Sequence, residues 1–201
     1  MQRRVFLSSL PLAAGAWAQS ATKAKLDVPY VPTTEKAVQE MLKLAQLKES
    51  DVLYDLGCGD GRIVVAAAKQ YGARGVGIDI DPQRIQEARA NARAAGVESL
   101  VRFEQKDLFQ AEFGEATVVT LFLLPTINLR LRPRLLKQLK PGTRLVSNTF
   151  DMGDWKPEKV VNLDTYEDPE FYGLSQTLYL WTIPAKEGAG VRAGGEAVRS
   201  L

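Results

Sequence analysis

Apolar and polar positions follow two rhythms along the chain, one of helices and one of strands. Val38, Met41, Leu42 and Ala45 recur at helical spacing, and Thr33 or Thr34 precedes them where a cap is needed. Asp51 to Leu56 predicts a buried strand, followed by a glycine-rich turn and an apolar helix from about Gly61 to Tyr71. Gly75 to Ile80 predicts a second strand. Asp81-Pro82 then predicts a helix start, with a capping carboxylate and proline at the first helical position. Ile85, Ala88, Ala92 and Ala95 share one face of that helix, which Gly96 ends. Leu100 to Glu104 predicts a third strand and Ala116 to Leu124 a fourth, nearly all apolar and therefore central. A helix over Thr126 to Leu139 follows, with Pro133 placed to kink or split it. Thr143 to Thr149, Lys159 to Leu163 and Gln176 to Ile183 predict three further strands.

Strands alternating with helices imply right-handed crossovers and a doubly wound α/β sheet of mostly parallel strands. The last two strands have no helix between them, which predicts a hairpin at the sheet edge. Ligands of such sheets sit beyond the carboxyl ends of the strands. The chemistry is therefore sought there.

Composition narrows the field. The chain has 201 residues, 45% hydrophobic and 25% charged, as expected of one globular domain. It contains no histidine, which excludes imidazole bases and histidine metal sites, and no metal is expected. The one cysteine, Cys58, excludes an intramolecular disulfide and a cysteine zinc site. The net charge of +2 is too small to argue for nucleic acid.

The ends have their own patterns. Arg3-Arg4, the apolar run Val5 to Ala16 and the small-residue site Ala16-Trp17-Ala18 resemble a twin-arginine export signal over residues 1–18. Its removal would take two of the 26 basic residues and leave their number equal to the 24 acidic ones. The expected location is the periplasm if that signal is used, and the cytoplasm otherwise. Residues 19–47 form an arm and helix, and residues 48–184 the main domain. Residues 185–201, glycine-rich and without aromatics, are expected to be a flexible tail.

Three pieces of sequence carry the chemistry. Asp55-Leu56-Gly57-Cys58-Gly59-Asp60-Gly61 lies between the first strand and its helix. Its glycines let the backbone approach a ligand closely, and the helix N-terminus beyond them suits a carboxylate. The spacing departs from the Gly-x-Gly-x-x-Gly of nicotinamide and flavin folds, and no P-loop lysine follows. Asp79 ends the second strand, where a carboxylate can accept from both hydroxyls of a ribose. Asp81 already serves as a cap, which leaves Asp79 for a ligand. Asp107, after the third strand, can accept from an adenine amino group or act as an ordinary loop acid.

These three pieces resemble the class I S-adenosylmethionine-dependent methyltransferases over roughly Lys48 to Pro184. The resemblance implies a seven-stranded Rossmann-like sheet with one antiparallel edge strand and S-adenosyl-L-methionine as cofactor. It also implies a cofactor site of Asp55, Gly57, Cys58, Gly59, Asp79, Ile80 and Asp107. Leu-Lys-Pro-Gly at Leu139 to Gly142 belongs to the same resemblance. Pro29-Tyr30-Val31-Pro32-Thr33, with Asp-Gly-Arg-Ile-Val-Val-Ala-Ala-Ala at Asp60 to Ala68, is more narrowly similar to the ATP synthase c-subunit lysine methyltransferase family and its bacterial relatives. That resemblance implies a protein lysine as acceptor, with membrane proteins among the candidate substrates, and places Tyr30, Pro32 and Thr33 near the active site.

Methyl transfer from a sulfonium to a neutral amine is an in-line displacement that positioning alone can promote, so a histidine-free chain suits it. Leu123-Leu124-Pro125-Thr126 replaces the Asn/Asp-Pro-Pro-aromatic signature of base N-methyltransferases, which argues against a nucleic-acid substrate. Leu124, Pro125 and Thr126 are expected on the substrate side, with Tyr30, Pro125 and Thr126 as the catalytic candidates. Trp155, Tyr166, Phe171 and Tyr172 either wall a lysine channel or cover the sheet. Three alternatives stay open: a small-molecule methyl acceptor, a non-catalytic cofactor-binding module and, ranked lower because no dense acidic cluster awaits a polycation, aminopropyl transfer to a polyamine.

Overall fold

A computed structural model describes residues 30–163 and 176–185. The expectations for the export signal, for Tyr166, Phe171 and Tyr172, and for the tail beyond Ala185 lie outside the described residues.

Thr34 caps α1 (Glu35–Leu44) by accepting the Ala37 N–H at 3.2 Å. β1 (Val52–Leu56) is buried throughout and leads into α2 (Arg62–Tyr71), which Gly72 ends in a left-handed conformation at φ 68°. β2 (Arg74–Asp79) precedes α3 (Pro82–Ala95). Asp81 caps α3 by accepting the Gln83 N–H at 2.8 Å, with Pro82 at the first turn. β3 (Val101–Gln105) and β4 (Val118–Leu121) follow, then α4 (Pro125–Gln138), β5 (Arg144–Asn148), β6 (Lys159–Leu163) and β7 (Gln176–Thr182).

The strands form one seven-stranded sheet in the order β3-β2-β1-β4-β5-β7-β6. β7 is antiparallel to both β5 and β6, and the other described pairings are parallel. The final two strands pair at the edge as the pattern predicts. The reversed strand lies one place inside that edge, which β6 occupies.

Helices cover both faces. On one face Leu53, Val118, Val146 and Leu178 pack with Met41, Leu42, Val64, Ala67 and Ala88 of α1, α2 and α3. On the other, Leu56, Val119, Leu121 and Trp181 pack with Ile127, Leu131 and Leu135 of α4. Burying the leucine, isoleucine, valine and methionine side chains among these contributes about 1.5–3 kcal/mol each.

Three details differ from the sequence pattern. β4 stops at Leu121, because Phe122, Leu123 and Leu124 leave the ladder to line a cavity. Their apolar character serves that lining, which periodicity reads as strand. α4 continues through Pro133. Pro133 has no N–H to donate to the Leu129 carbonyl, and Leu129 is an exposed residue. Asp51 does not start β1. It is a buried anchor that accepts from Lys48 N–H at 2.8 Å and from Thr117 Oγ1 at 2.7 Å, and it pairs with Arg144.

Chain order reverses between β1 and β4, so a crevice opens beyond their carboxyl ends. The glycine turn, Asp79 and Asp107 all lie at that end of the sheet.

Candidate active site

The crevice is a cavity of about 350 Å³, within the range of small-molecule sites. Its floor is the turn after β1. Gly57, Gly59 and Gly61 all have positive φ, at 84°, 52° and 75°. The Gly57 and Cys58 N–H groups both donate to the Ile78 carbonyl, at 2.8 and 3.0 Å, which fastens the turn to β2.

Asp79 completes that fastening. Its Oδ2 accepts the Gly59 N–H at 2.8 Å and its Oδ1 accepts the Asp81 N–H at 2.9 Å. Asp79 is therefore engaged with the backbone even though Asp81 caps α3. A carboxylate offers about four acceptor sites, so both oxygens keep capacity for a pair of ribose hydroxyls. Ile80 lies beside it, exposed at the rim. Asp107 accepts the Phe109 N–H at 2.9 Å and lines the cavity beyond β3. The loop-acid role and a ligand-facing position coexist there.

Asp55 lies beneath the turn, buried, and accepts from Thr120 Oγ1 at 2.7 Å. Burial pushes its carboxyl up to about 7; the Thr120 hydrogen bond opposes the rise, and the charges of Asp79 and Asp60 add to it. Cys58 lines the cavity but its thiol is buried, with Sγ packed against Gly77, where an added Cβ would meet it at 2.8 Å. Burial, with Asp55 and Asp79 nearby, pushes the thiol pKa well up, so it stays protonated and is a packing group.

The arm ahead of α1 roofs the turn. An added Cβ on Gly59 would lie 2.4 Å from Tyr30 Cε2, so the Tyr30 ring rests on that glycine. The Arg84 guanidinium covers the same ring, 4.5 Å from its centroid. Arg62 ties the arm down. Its Nε and Nη2 donate to both oxygens of Asp60, at 3.0 and 2.7 Å, and its Nη1 donates to the Thr33 carbonyl at 2.8 Å. Burial raises the Asp60 pKa, but the Arg62 hydrogen bonds and charge, with the Tyr30 hydroxyl, outweigh it and hold the carboxyl below its usual range. The Tyr30 hydroxyl pKa is raised, first by burial and then by Asp60. Asp60 also accepts the Arg62 N–H at 3.2 Å, so part of the helix N-terminus expected to face a ligand is capped from within the chain.

At the other end of the cavity Phe122, Leu124, Ile127, Thr149, Phe150 and Gln176 form the wall. Pro125 and Thr126 open α4 and do not line the cavity. Pro32 and Thr33 do line it. Trp155 is sheet cover: its carbonyl accepts from Trp181 Nε1 at 2.7 Å, and the two rings lie 5.8 Å apart. Sequence reasoning misses the wall residues Thr149, Phe150 and Gln176, and also the Arg62 tie. Thr149 has a signal only in its backbone, a non-glycine φ of 67°.

The residues fit S-adenosyl-L-methionine. Asp79 lines the cavity with free acceptor capacity on both oxygens, Asp107 stands farther along the same wall, and the cavity is of a size for a small molecule. The group supplies a methyl already activated by the sulfonium. This chain's residues bind it, orient it and exclude water from it.

Comparison with known proteins agrees. Residues 55–159 match the model of the ANTKMT methyltransferase domain. A protein-lysine N-methyltransferase of Saccharolobus islandicus is 44% identical over 157 residues, covering 78% of this chain and 94% of that protein. The human ATP synthase c-subunit lysine N-methyltransferase is 32% identical over 154 residues, 74% of this chain and 65% of that one, so the chain spans just under two thirds of that relative. A crystal structure described as an RNA methyltransferase from Salinibacter ruber, in complex with S-adenosyl-L-homocysteine, is 53% identical with a TM-score of 0.72; it covers 81% of this chain and 100% of that one. The resemblance read from Asp55 to Gly61, Asp79 and the arm is thereby borne out, and the chain belongs to the ANTKMT methyltransferase family of S-adenosyl-L-methionine-dependent enzymes.

Proposed function

We propose that the protein methylates the side-chain amine of a lysine in a protein substrate. The observation that carries this is the acceptor end of the cavity. Phe122, Leu124, Ile127 and Phe150 make it apolar, and none of its wall residues among those described is a titratable base. A lysine ammonium entering such a wall is desolvated, which lowers its pKa and favours loss of its proton to water. The neutral amine then attacks in line, and no side chain needs to take a proton in the transfer itself. Phenol or catechol acceptors ask for a base that this wall lacks.

The names of the Saccharolobus and human relatives support a lysine acceptor. The resemblance carried by the arm makes a membrane protein the class to search first. The description of the Salinibacter structure favours RNA instead. Against RNA, Leu123-Leu124-Pro125-Thr126 lacks the Asn/Asp-Pro-Pro-aromatic signature. Incubation with methyl-labelled cofactor and a cell extract separates the two readings. Label removed by protease and resistant to ribonuclease supports the lysine reading, and label removed by ribonuclease overturns it.

Export of the protein is a separate proposal, resting on the signal-like residues 1–18. Recovery from the periplasm with Gln19 as first residue supports it, and a cytoplasmic chain beginning at residue 1 overturns it.

A further inference from the structure

Gln176 opens β7 directly beside the acceptor end of the cavity. It is 1% exposed, and it lines the same cavity as Asp79. Its Oε1 accepts from Thr34 Oγ1 at 3.2 Å, which links it to the cap of α1. Its Nε2 is buried and has no hydrogen-bond partner among the described residues. A buried amide N–H2 without an acceptor costs about as much as a lost hydrogen bond, so the group calls for an explanation. Thr34 Oγ1 donates to Oε1 and accepts the Ala37 N–H, and it makes no hydrogen bond with Nε2.

The sheet order says which ligand lies near. Asp107 stands beyond β3, Asp79 at the end of β2 and the glycine turn beyond β1, so the cofactor residues occupy one half of the crevice. Gln176 opens β7, which runs antiparallel to β5, so it lies beyond the carboxyl end of β5, in the half left for the acceptor. We propose that Gln176 is a specificity residue whose Nε2 donates a hydrogen bond to a main-chain carbonyl oxygen of the acceptor polypeptide beside its target lysine. The lysine amine itself would be a poor partner, because a donor aimed at its lone pair would compete with attack on the methyl group. A carbonyl satisfies the amide and leaves the lone pair free. This inference rests on the lysine reading.

Three variants separate binding from scaffolding. Gln176→Glu keeps an acceptor for Thr34 but removes both N–H groups. Gln176→Met removes acceptor and donor at similar volume. Thr34→Val removes the link to α1 and keeps the N–H2. We expect both Gln176 variants to raise the KM for the acceptor about 10-fold or more. Their affinity for S-adenosylhomocysteine should stay within about twofold of wild type, and Thr34→Val should lose less. If Thr34→Val reproduces the Gln176 loss, or if only cofactor affinity changes, Gln176 is a scaffold or cofactor residue and the proposal is overturned.

A second readout needs no turnover. The Gln176 side-chain amide resonance, assigned by its disappearance in Gln176→Met, is followed in 15N-glutamine-labelled full-length protein. It should move when Nα-acetyl-lysine N-methylamide is added to the S-adenosylhomocysteine complex. A resonance that never moves, as expected of an amide satisfied by water alone, overturns the proposal, as does one that moves with S-adenosylhomocysteine only. A wild-type protein that transfers no methyl to lysine fails the function reading, and this measurement still decides the role of Gln176.

Discussion

The Gly59 N–H donates to Asp79 Oδ2 at 2.8 Å, joining the end of β2 to the turn after β1. One carboxylate thus fixes the loop and keeps acceptor capacity for a ribose. Asp79→Asn places an N–H2 group where acceptors are needed. Its affinity for S-adenosylhomocysteine should fall by about 100-fold, the loss of two charge-assisted hydrogen bonds. Isothermal titration checks this, and an unchanged Kd would place the ribose elsewhere.

Gly59→Ala tests the roof. The added Cβ meets the Tyr30 ring at 2.4 Å and the backbone sits at φ 52°, so the ring must leave. Hydrogen exchange over residues 30–34 should rise, and the melting temperature should fall by about 2–4 °C, reflecting about 1 kcal/mol of left-handed strain. Unchanged exchange would mean that Tyr30 does not rest on the turn.

Arg62→Lys separates charge from geometry. A lysine can pair with Asp60 but cannot also reach the Thr33 carbonyl in the same fork. The pair is partly exposed, so its screened contribution is about 1 kcal/mol. The variant should release the arm, read as faster exchange at Val31 to Thr34, while α2 stays protected. Release of both together would show that Arg62 supports α2 rather than the arm.

The buried Asp55 predicts a pH dependence of stability. Its folded pKa, up to about 7, lies above the unfolded carboxylate value near ~4. Between those values the folded chain retains a proton that the unfolded chain has released. Stability from this group therefore falls as pH rises from ~4 to ~7, by at most about 1.4 kcal/mol per pH unit, and is level above that. Asp55→Asn keeps an acceptor for Thr120 and removes the titration, so its stability should exceed wild type at pH 8 and follow a flatter curve. Urea unfolding across pH 5–8 measures both slopes, and equal slopes would contradict the assignment to Asp55.

The parts of this architecture that a sequence reveals are those with local causes. The glycine spacing after β1, Asp81 before Pro82, and Asp79 at the end of a strand each state their role within a few residues. What stays hidden depends on distance along the chain. The Thr34–Gln176 bond spans 142 positions and the Arg62–Thr33 bond spans 29, and no short pattern announces either. Phe122 to Leu124 read as strand because hydrophobicity does not distinguish a sheet core from a cavity wall. Pro125 and Thr126 fall on the substrate side by their place in a motif. The first turn of α4 directs them away from the cavity, and Leu124 and Ile127 line it instead.

Lysine methylation is tested most directly by amino-acid analysis of labelled product. Full-length protein, methyl-labelled S-adenosyl-L-methionine and a membrane-containing cell extract are incubated together, with Asp79→Ala in parallel. The labelled protein fraction is then hydrolysed to free amino acids. A lysine-directed enzyme leaves label in Nε-methylated lysine with wild type and none with the variant. Label in another amino acid, in nucleosides or only in small molecules would contradict that function.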